Sequence, residues 1–289
     1  MMRLAVVVSS IAVLLLTACT PGSADPKPTP SASPTPPVTV KYGVPPNIAL
    51  KPSESLKAKS GQVIENLDIT GQVFIGDGVH DVVIRNCRFN GDGSQWYAIQ
   101  TAGDGSATVD HVTIRGDYKD AGISYHNVTV THADIYGMTH DGIKVGNNVT
   151  VADSRIRDFA PVAGAHSDGL QIFERVSGVT IKNNLVNPGL GGGSRNGKGD
   201  DDTAVNSALI FADSVDRGTA GRIVVDGNVL GGGGYTVYFD VPGDTHFTDN
   251  KFLRDSYLYG PVDGRADTKE WRGNTFADNG EPISLPKGQ

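Results

Sequence analysis

The chain has 289 residues, a formal net charge of −7, 37 glycines and two cysteines. An acidic balance of this kind speaks against nonspecific binding to nucleic acid. It leaves an anionic polysaccharide open as a partner, because local patches outweigh the total charge. Two cysteines, one of them near the N-terminus, exclude a disulfide framework.

Met1–Ser10 carries one positive charge, Arg3, and the apolar run Ile11–Leu16 follows. Together they read as a secretory signal too short to span a membrane. Its end, Leu16-Thr17-Ala18-Cys19, resembles the bacterial lipobox. That resemblance implies cleavage before Cys19 and lipid on that cysteine. Residues 1–18 are therefore read as a lipoprotein signal peptide. Residues 19–45 are read as a tether, because a Pro/Ser/Thr-rich composition buries no core. The expected location is extracytoplasmic, on the bacterial cell membrane, held by the lipid on Cys19.

Residues 46–289 form one domain built from a repeated phrase, apolar–x–polar–x–x–apolar. It occurs nine times, from Ile64-Asn66-Ile69 and Ile84-Asn86-Phe89 through to Trp271-Gly273-Phe276. Most steps between phrases are about 20–25 residues, the spacing of stacked repeat units. Alternating apolar positions rich in Val, Ile and Thr predict a strand in each phrase. A strand returning once per coil predicts an all-β solenoid of parallel coils, about nine or ten in number. Cys87, beside Asn86, is read as a small buried apolar residue. Asn127 and Asn148 match glycosylation sequons and are read as turn residues leading into strands.

A second short strand precedes each anchor strand. Examples are Tyr97-Ala98-Ile99-Gln100, Asp141-Gly142-Ile143-Lys144, Asp168-Gly169-Leu170-Gln171 and Tyr235-Thr236-Val237-Tyr238. The third residue is apolar and faces inward, so its neighbours face out. Gln100, Lys144, Gln171 and Tyr238 then share one outward column. Tyr97, Asp141, Asp168, Ser207 and Tyr235 share another at the strand entrance. Coils stack about 4.8 Å apart, which makes Asp141 and Asp168 neighbours.

Two inserts break the rhythm, Ala160–Ser167 and Asn187–Asn206. Both adjoin the coils of Asp141 and Asp168, and long loops on a regular scaffold commonly carry function. The second holds Asp200, Asp201 and Asp202, a weaker metal-binding candidate.

The chemistry-capable residues crowd here: His140, Asp141 and Lys144 on one coil, His166, Asp168 and Gln171 on the next. Adjacent carboxylates repel, so one holds a proton or both recruit a cation. The pair thus fits the acid and base of glycoside hydrolysis or a seat for Ca²⁺. Lys144 is a candidate base if its pKa is lowered. Tyr235, Tyr238, Gln100, Gln171 and Trp96 are candidate substrate contacts, the aromatics through stacking on sugar rings.

These coil phrases resemble right-handed parallel β-helix proteins of the pectate-lyase-like superfamily, over about Gln62 to Asn279. The segments Asn86-Cys87, Asp141-Gly142-Ile143-Lys144, His166 through Gln171 and Gly234 through Tyr238 resemble actinobacterial β-helix lipoproteins of unassigned role. The resemblance implies the right hand of the helix. Neither lyase nor polygalacturonase signatures carry over whole: Ile172 stands where pectate lyases place a second Asp, and no Gly-His-Gly exists. The expected function is a surface-anchored protein that cleaves an extracellular polysaccharide, as lyase or hydrolase; the alternative is a non-catalytic glycan-binding or cell-envelope protein. A monomer is expected, with Ca²⁺ the one candidate cofactor. Mass spectrometry of the native protein checks the anchor. A mature N-terminus at lipid-bearing Cys19 is expected, and an unmodified or removed Cys19 contradicts it.

Overall fold

The computed structural model describes residues 41–173, 175–190, 204–212, 218–264 and 268–285. The signal, Cys19, most of the tether and Asp200–Asp202 lie outside these residues. Among those described, every regular element is a β-strand, 28 in all. They form three parallel sheets of ten, nine and nine strands. In chain order, the first sheet begins with Lys51–Ser53, the second with Leu56–Lys57 and the third with Val63–Glu65. Each strand pairs with the strand three later in the chain, so one coil contributes one strand to each sheet. The arrangement is the parallel β-solenoid expected from the repeat. Composition puts the start of the domain at residue 46, yet the chain already touches the solenoid ahead of it. Gly43 N donates to His132 O at 2.7 Å, and the Arg155 guanidinium lies 5.2 Å from the Tyr42 ring centroid.

The repeated phrase turns out to span two strands, and this corrects the expectation of one. Its polar residue is the bend between the third and first sheets. Val82–Arg85 ends just before Asn86, and Arg88–Asp92 begins just after Cys87. Asn66, Asn86, His111, His132, Asp153, Asn183 and Asp249 all sit in the left-handed region, with φ between 49° and 58°. Asn and Asp tolerate that conformation best among residues with a Cβ, and glycine supplies it at Gly227 and Gly273. The polar position recurs because the corner demands it. Asn127 and Asn148 occupy the same conformation ahead of their strands.

Inside the coil, apolar residues stack on their own repeats. Ile143 pairs with Leu170, Leu170 with Leu209, and Leu209 with Val237, and all four are fully buried. The residue following each left-handed corner also points inward. In early coils it is apolar: Cys87, Val112 and Ala133 are fully buried. From Ser154 onward the column becomes polar, as Ser154, Asn184, Asn228, Asn250 and Asn274. These amides satisfy one another along the helix axis. Asn250 Nδ2 donates to Val225 O at 2.9 Å and to Asn274 Oδ1 at 2.9 Å. Asn250 Oδ1 accepts from Asn228 N at 3.0 Å and from Asn228 Nδ2 at 2.9 Å. A buried polar group is tolerated only when so paired.

Truncating the centre of this ladder orphans several buried groups at once. Each unsatisfied buried group costs about 1–3 kcal/mol. Asn250→Ala is therefore expected to destabilise the protein by at least about 3 kcal/mol in denaturant unfolding. A loss under about 1 kcal/mol would show that the ladder fills space without holding the coils together.

Candidate functional site

Most of the expected site residues fall on the second sheet. Its strands include Tyr97–Thr101, Ala121–Ser124, Asp141–Val145, Ser167–Phe173, Val205–Ala212 and Tyr235–Phe239. Register places Ala121 beside both Tyr97 and Asp141. It places Lys144 beside Gln171, Gln171 beside Ile210 and Ile210 beside Tyr238. Asp168 pairs with Ser207. Asp141 and Asp168 therefore lie on adjacent coils in the entrance column. The Gly after each Asp sits within the strand. A Cβ on Gly142 would meet Gly169 O at 2.5 Å, and one on Gly169 would meet Ala208 O at 2.5 Å. The Asp-Gly pairs here answer close stacking of backbones rather than a turn.

Asp141 and Asp168 are buried, 3% and 2% exposed. Asp141 Oδ1 accepts the backbone N–H of Asp168 at 2.8 Å, and Asp141 Oδ2 lies 2.7 Å from Lys144 Nζ. The same ammonium lies 3.0 Å from Asp120 Oδ1 and donates to Gln171 Oε1. Among the described residues, Asp168 forms no ion pair, and Lys144 acts on it only at longer range. Its Oδ1 accepts from Asn206 Nδ2 at 2.9 Å and from Ser207 Oγ. Beyond Asp120 the network continues: Tyr97 OH donates to Asp120 Oδ2 and lies 2.8 Å from Tyr125 OH.

These contacts divide the two acids. Burial, reinforced by the charge on Asp141, pushes the Asp168 carboxyl well above the usual carboxylate range. Burial also pushes Asp141 up, with the Lys144 ammonium pulling against it. Of the two, the Asp168 carboxyl is the one whose surroundings more favour a proton, because the Lys144 ammonium stands beside Asp141. Burial opposes the Lys144 charge, but Asp141 and Asp120 outweigh it and raise the lysine pKa. A general base needs the opposite shift, so the structure argues against Lys144 as a base. The same ammonium stands between Asp120 and Asp141, where it supplies the positive charge that Ca²⁺ would bring. Both oxygens of Asp141 and Oδ1 of Asp168 already face donors.

The remaining candidates lie around this centre. His140 is half-buried, its Nδ1 3.2 Å from Thr139 Oγ1. His166 is exposed at a left-handed corner with φ 46°. Among the described residues, neither imidazole bonds to Asp141, Asp168 or Lys144. His140 directly precedes Asp141, whereas Ser167 separates His166 from Asp168, so the two histidines occupy different coil positions. Gln100 and Gln171 are half-buried in the outward column. Tyr238 is half-buried, and burial pushes its phenol up to about 12. Its ring lies 5.4 Å from that of Tyr235, which is 5.5 Å from that of Tyr259. Trp96 stands at the other end of the face, 59% exposed.

Sequence reasoning missed Asp120, Tyr125, Asn206 and Phe173. Asp120 had a usable signal, since it holds the same position before Ala121 that His140 holds before Asp141. Tyr125 and Phe173 lie at or beyond strand ends, where a two-residue period says little. They line a groove of about 460 Å³ together with His126 and Asn147. The groove opens beside the network, with Lys144 Nζ 6.0 Å from the Phe173 ring centroid.

A solenoid of this topology defines a class, and the sequence places the chain within a family. The family model described as right handed beta helix region matches residues 71–252. The chain belongs to that family. Comparison with curated proteins gives no match. Among solved structures, ORF18 of Geobacillus virus E2 is 13% identical, with a TM-score of 0.43 over 78% of this chain and 44% of that one. The catalytic domain of a GH87 alpha-1,3-glucanase in complex with nigerose is 13% identical, with a TM-score of 0.31 over 86% and 70%. A variant of that domain, also with nigerose, is 12% identical, with a TM-score of 0.30 over 77% and 63%. The chain thus spans less than two thirds of the length of the virus protein and of the variant domain.

Proposed function

We propose that this protein binds an extended polysaccharide along its second sheet and hydrolyses it. One observation carries the reading. Two buried carboxyls lie on adjacent coils of the second sheet, and their surroundings favour opposite protonation states: the Lys144 ammonium 2.7 Å from Asp141 favours its charge, while burial pushes Asp168 up. Glycoside hydrolysis needs that division of protonation states between two carboxyls. Asp168 supplies the proton to the leaving oxygen, and Asp141 serves as base or nucleophile. Gln171, Lys144, Gln100 and Tyr238 contact hydroxyls from the outward column. Tyr125 and Phe173 at the groove, with Trp96, Tyr235 and Tyr259 further out, offer ring faces to sugars. Hydrolysis rather than elimination follows from Lys144, whose raised pKa and two carboxylate partners unfit it for abstracting a proton. Lipid on Cys19 would hold this face outside the cell membrane, where such polymers are met.

A second reading has its own support. Asp141 and Asp168 are almost fully buried, so Lys144, Gln171 and the aromatics are the groups a glycan meets first. On that reading the face binds without turnover, and the carboxyls set its shape and charge.

The two readings separate in one assay. The purified protein is incubated with anionic and neutral polysaccharides while reducing ends, unsaturated ends and bound polymer are followed. Hydrolysis predicts new reducing ends with no rise in ultraviolet absorbance, and their loss in Asp168→Asn. The substitution keeps Oδ1 as acceptor for Ser207 and Asn206, so it removes only the acid. A carboxyl whose pKa rises on folding stabilises the fold at and below its unfolded pKa of about 3.9 and loses that contribution as pH rises. The melting temperature of Asp168→Asn at pH 7 is therefore expected to equal or exceed that of wild type. Binding without products under any pH or metal condition would overturn hydrolysis and favour the second reading.

A further inference from the structure

A second cluster of chemistry-bearing side chains lies at the corner between the third and first sheets, which the second sheet does not help to form. Two successive repeats carry histidine at the left-handed position, in Val109-His111-Ile114 and Val130-His132-Ile135. Their φ angles are 50° and 52°. Val109 pairs with Val130 and Asp110 with Thr131, so the two corners stack in register. Identical backbone conformations one coil apart aim the two side chains the same way. The imidazoles stack with centroids 4.4 Å apart and planes 19° apart.

Asp110 stands between them. Its Oδ2 lies 2.8 Å from His111 Nδ1, and its Oδ1 lies 2.8 Å from His132 Nδ1. Thr131 Oγ1 donates to the same Oδ1 at 2.7 Å and fixes the carboxylate. Ligand atoms from the three residues lie within 4.8 Å of one another. The side chains of His111, Asp110 and His132 are 25%, 36% and 38% exposed, so an ion in solvent reaches them. The corner itself does not require histidine. Asn66, Asn86 and Asn183 make the same bend elsewhere.

We propose that Asp110, His111 and His132 form a binding site for a divalent transition metal, with Zn²⁺ as its natural occupant. Two imidazole nitrogens and one carboxylate oxygen suit Zn²⁺ rather than Ca²⁺ or Mg²⁺, which prefer all-oxygen shells. Donors around tetrahedral zinc, at about 2.0–2.1 Å from the ion, stand roughly 3.3 Å apart. The two 2.8 Å spacings run to different oxygens of Asp110, and the ligand atoms of all three residues lie within 4.8 Å of one another, so small side-chain adjustments bring them to a shared ion. To free its lone pair, each neutral ring moves its proton from Nδ1 to Nε2, and the ion takes the place of the two N–H donors. Asp110 and His111 belong to one coil and His132 to the next. The ion therefore staples neighbouring coils, and water or an external ligand fills the remaining position. The site is independent of the carboxyl pair on the second sheet and stands whether or not that face is catalytic.

The test uses the full chain, titrated with zinc chloride in a calorimeter, with melting temperatures followed in parallel. Asparagine tolerates the left-handed corner, so His111→Asn and His132→Asn remove a ligand while preserving the bend. Wild type is expected to bind one zinc at this site and to melt at a higher temperature when zinc is present. Each variant is expected to lose at least about tenfold in zinc affinity and to show a smaller shift. Equal melting temperatures of the metal-free forms would show that the loss is one of ligation and not of folding. Wild type that takes up no zinc, or His132→Asn that binds it as tightly as wild type, would overturn the proposal.

Discussion

Each coil is joined to the next by parallel backbone hydrogen bonds at about 4.8 Å, and every coil passes through the same three sheets. A residue that recurs at one coil position therefore meets its own repeat at close range. Apolar residues gain from this, as Ile143, Leu170, Leu209 and Val237 do. Backbones approach so closely at Gly142 and Gly169 that a Cβ has no room. Every other feature of the molecule is an answer to what may be stacked on what.

Polar and charged residues stack only under conditions. Amides can donate and accept along an axis, so Asn184, Asn228, Asn250 and Asn274 form a continuous buried ladder. Carboxylates cannot, since neighbours repel and burial removes the water that would screen them. At Asp141 and Asp168 the conflict is met in two ways. Lys144 lends its charge to Asp141 and Asp120, and Asp168, its carboxyl pushed up by burial, accepts from Ser207 and Asn206. At His111 and His132 the stacked rings share one carboxylate, with each Nδ1 2.8 Å from an oxygen of Asp110. Stacking thus gathers both clusters of titratable side chains.

Much of this was legible in the chain itself. The period of the repeats and their Val/Ile content led to parallel coils, and the apolar third residue of each second strand led to the correct inward ladder. The same register brought Asp141 and Asp168 together across 27 residues of sequence. What period alone could not reveal was the bend inside the repeated phrase. A polar residue between two apolar ones reads equally as strand alternation or as a left-handed corner, and only the φ angles separate the two. Nor could it reveal the pairing of Lys144. Its partner Asp120 lies 24 residues earlier and outside the strand, where alternation assigns no direction. The ammonium beside Asp141, which competes with the expected Ca²⁺ for the same oxygen, is likewise recognised only once the contacts of Lys144 are known.

The functional account rests on a division of labour between two acids, and the protonation state of Asp168 tests it most directly. Carbon-detected nuclear magnetic resonance of the aspartate side chains, assigned with Asp168→Asn, reads that state across a pH titration. The account predicts a neutral Asp168 carboxyl at pH 7, ionising only well above the usual value of about 3.9, while Asp141 stays charged. A carboxyl at position 168 that ionises near pH 4 would contradict it, since the face would then carry two bases and no acid.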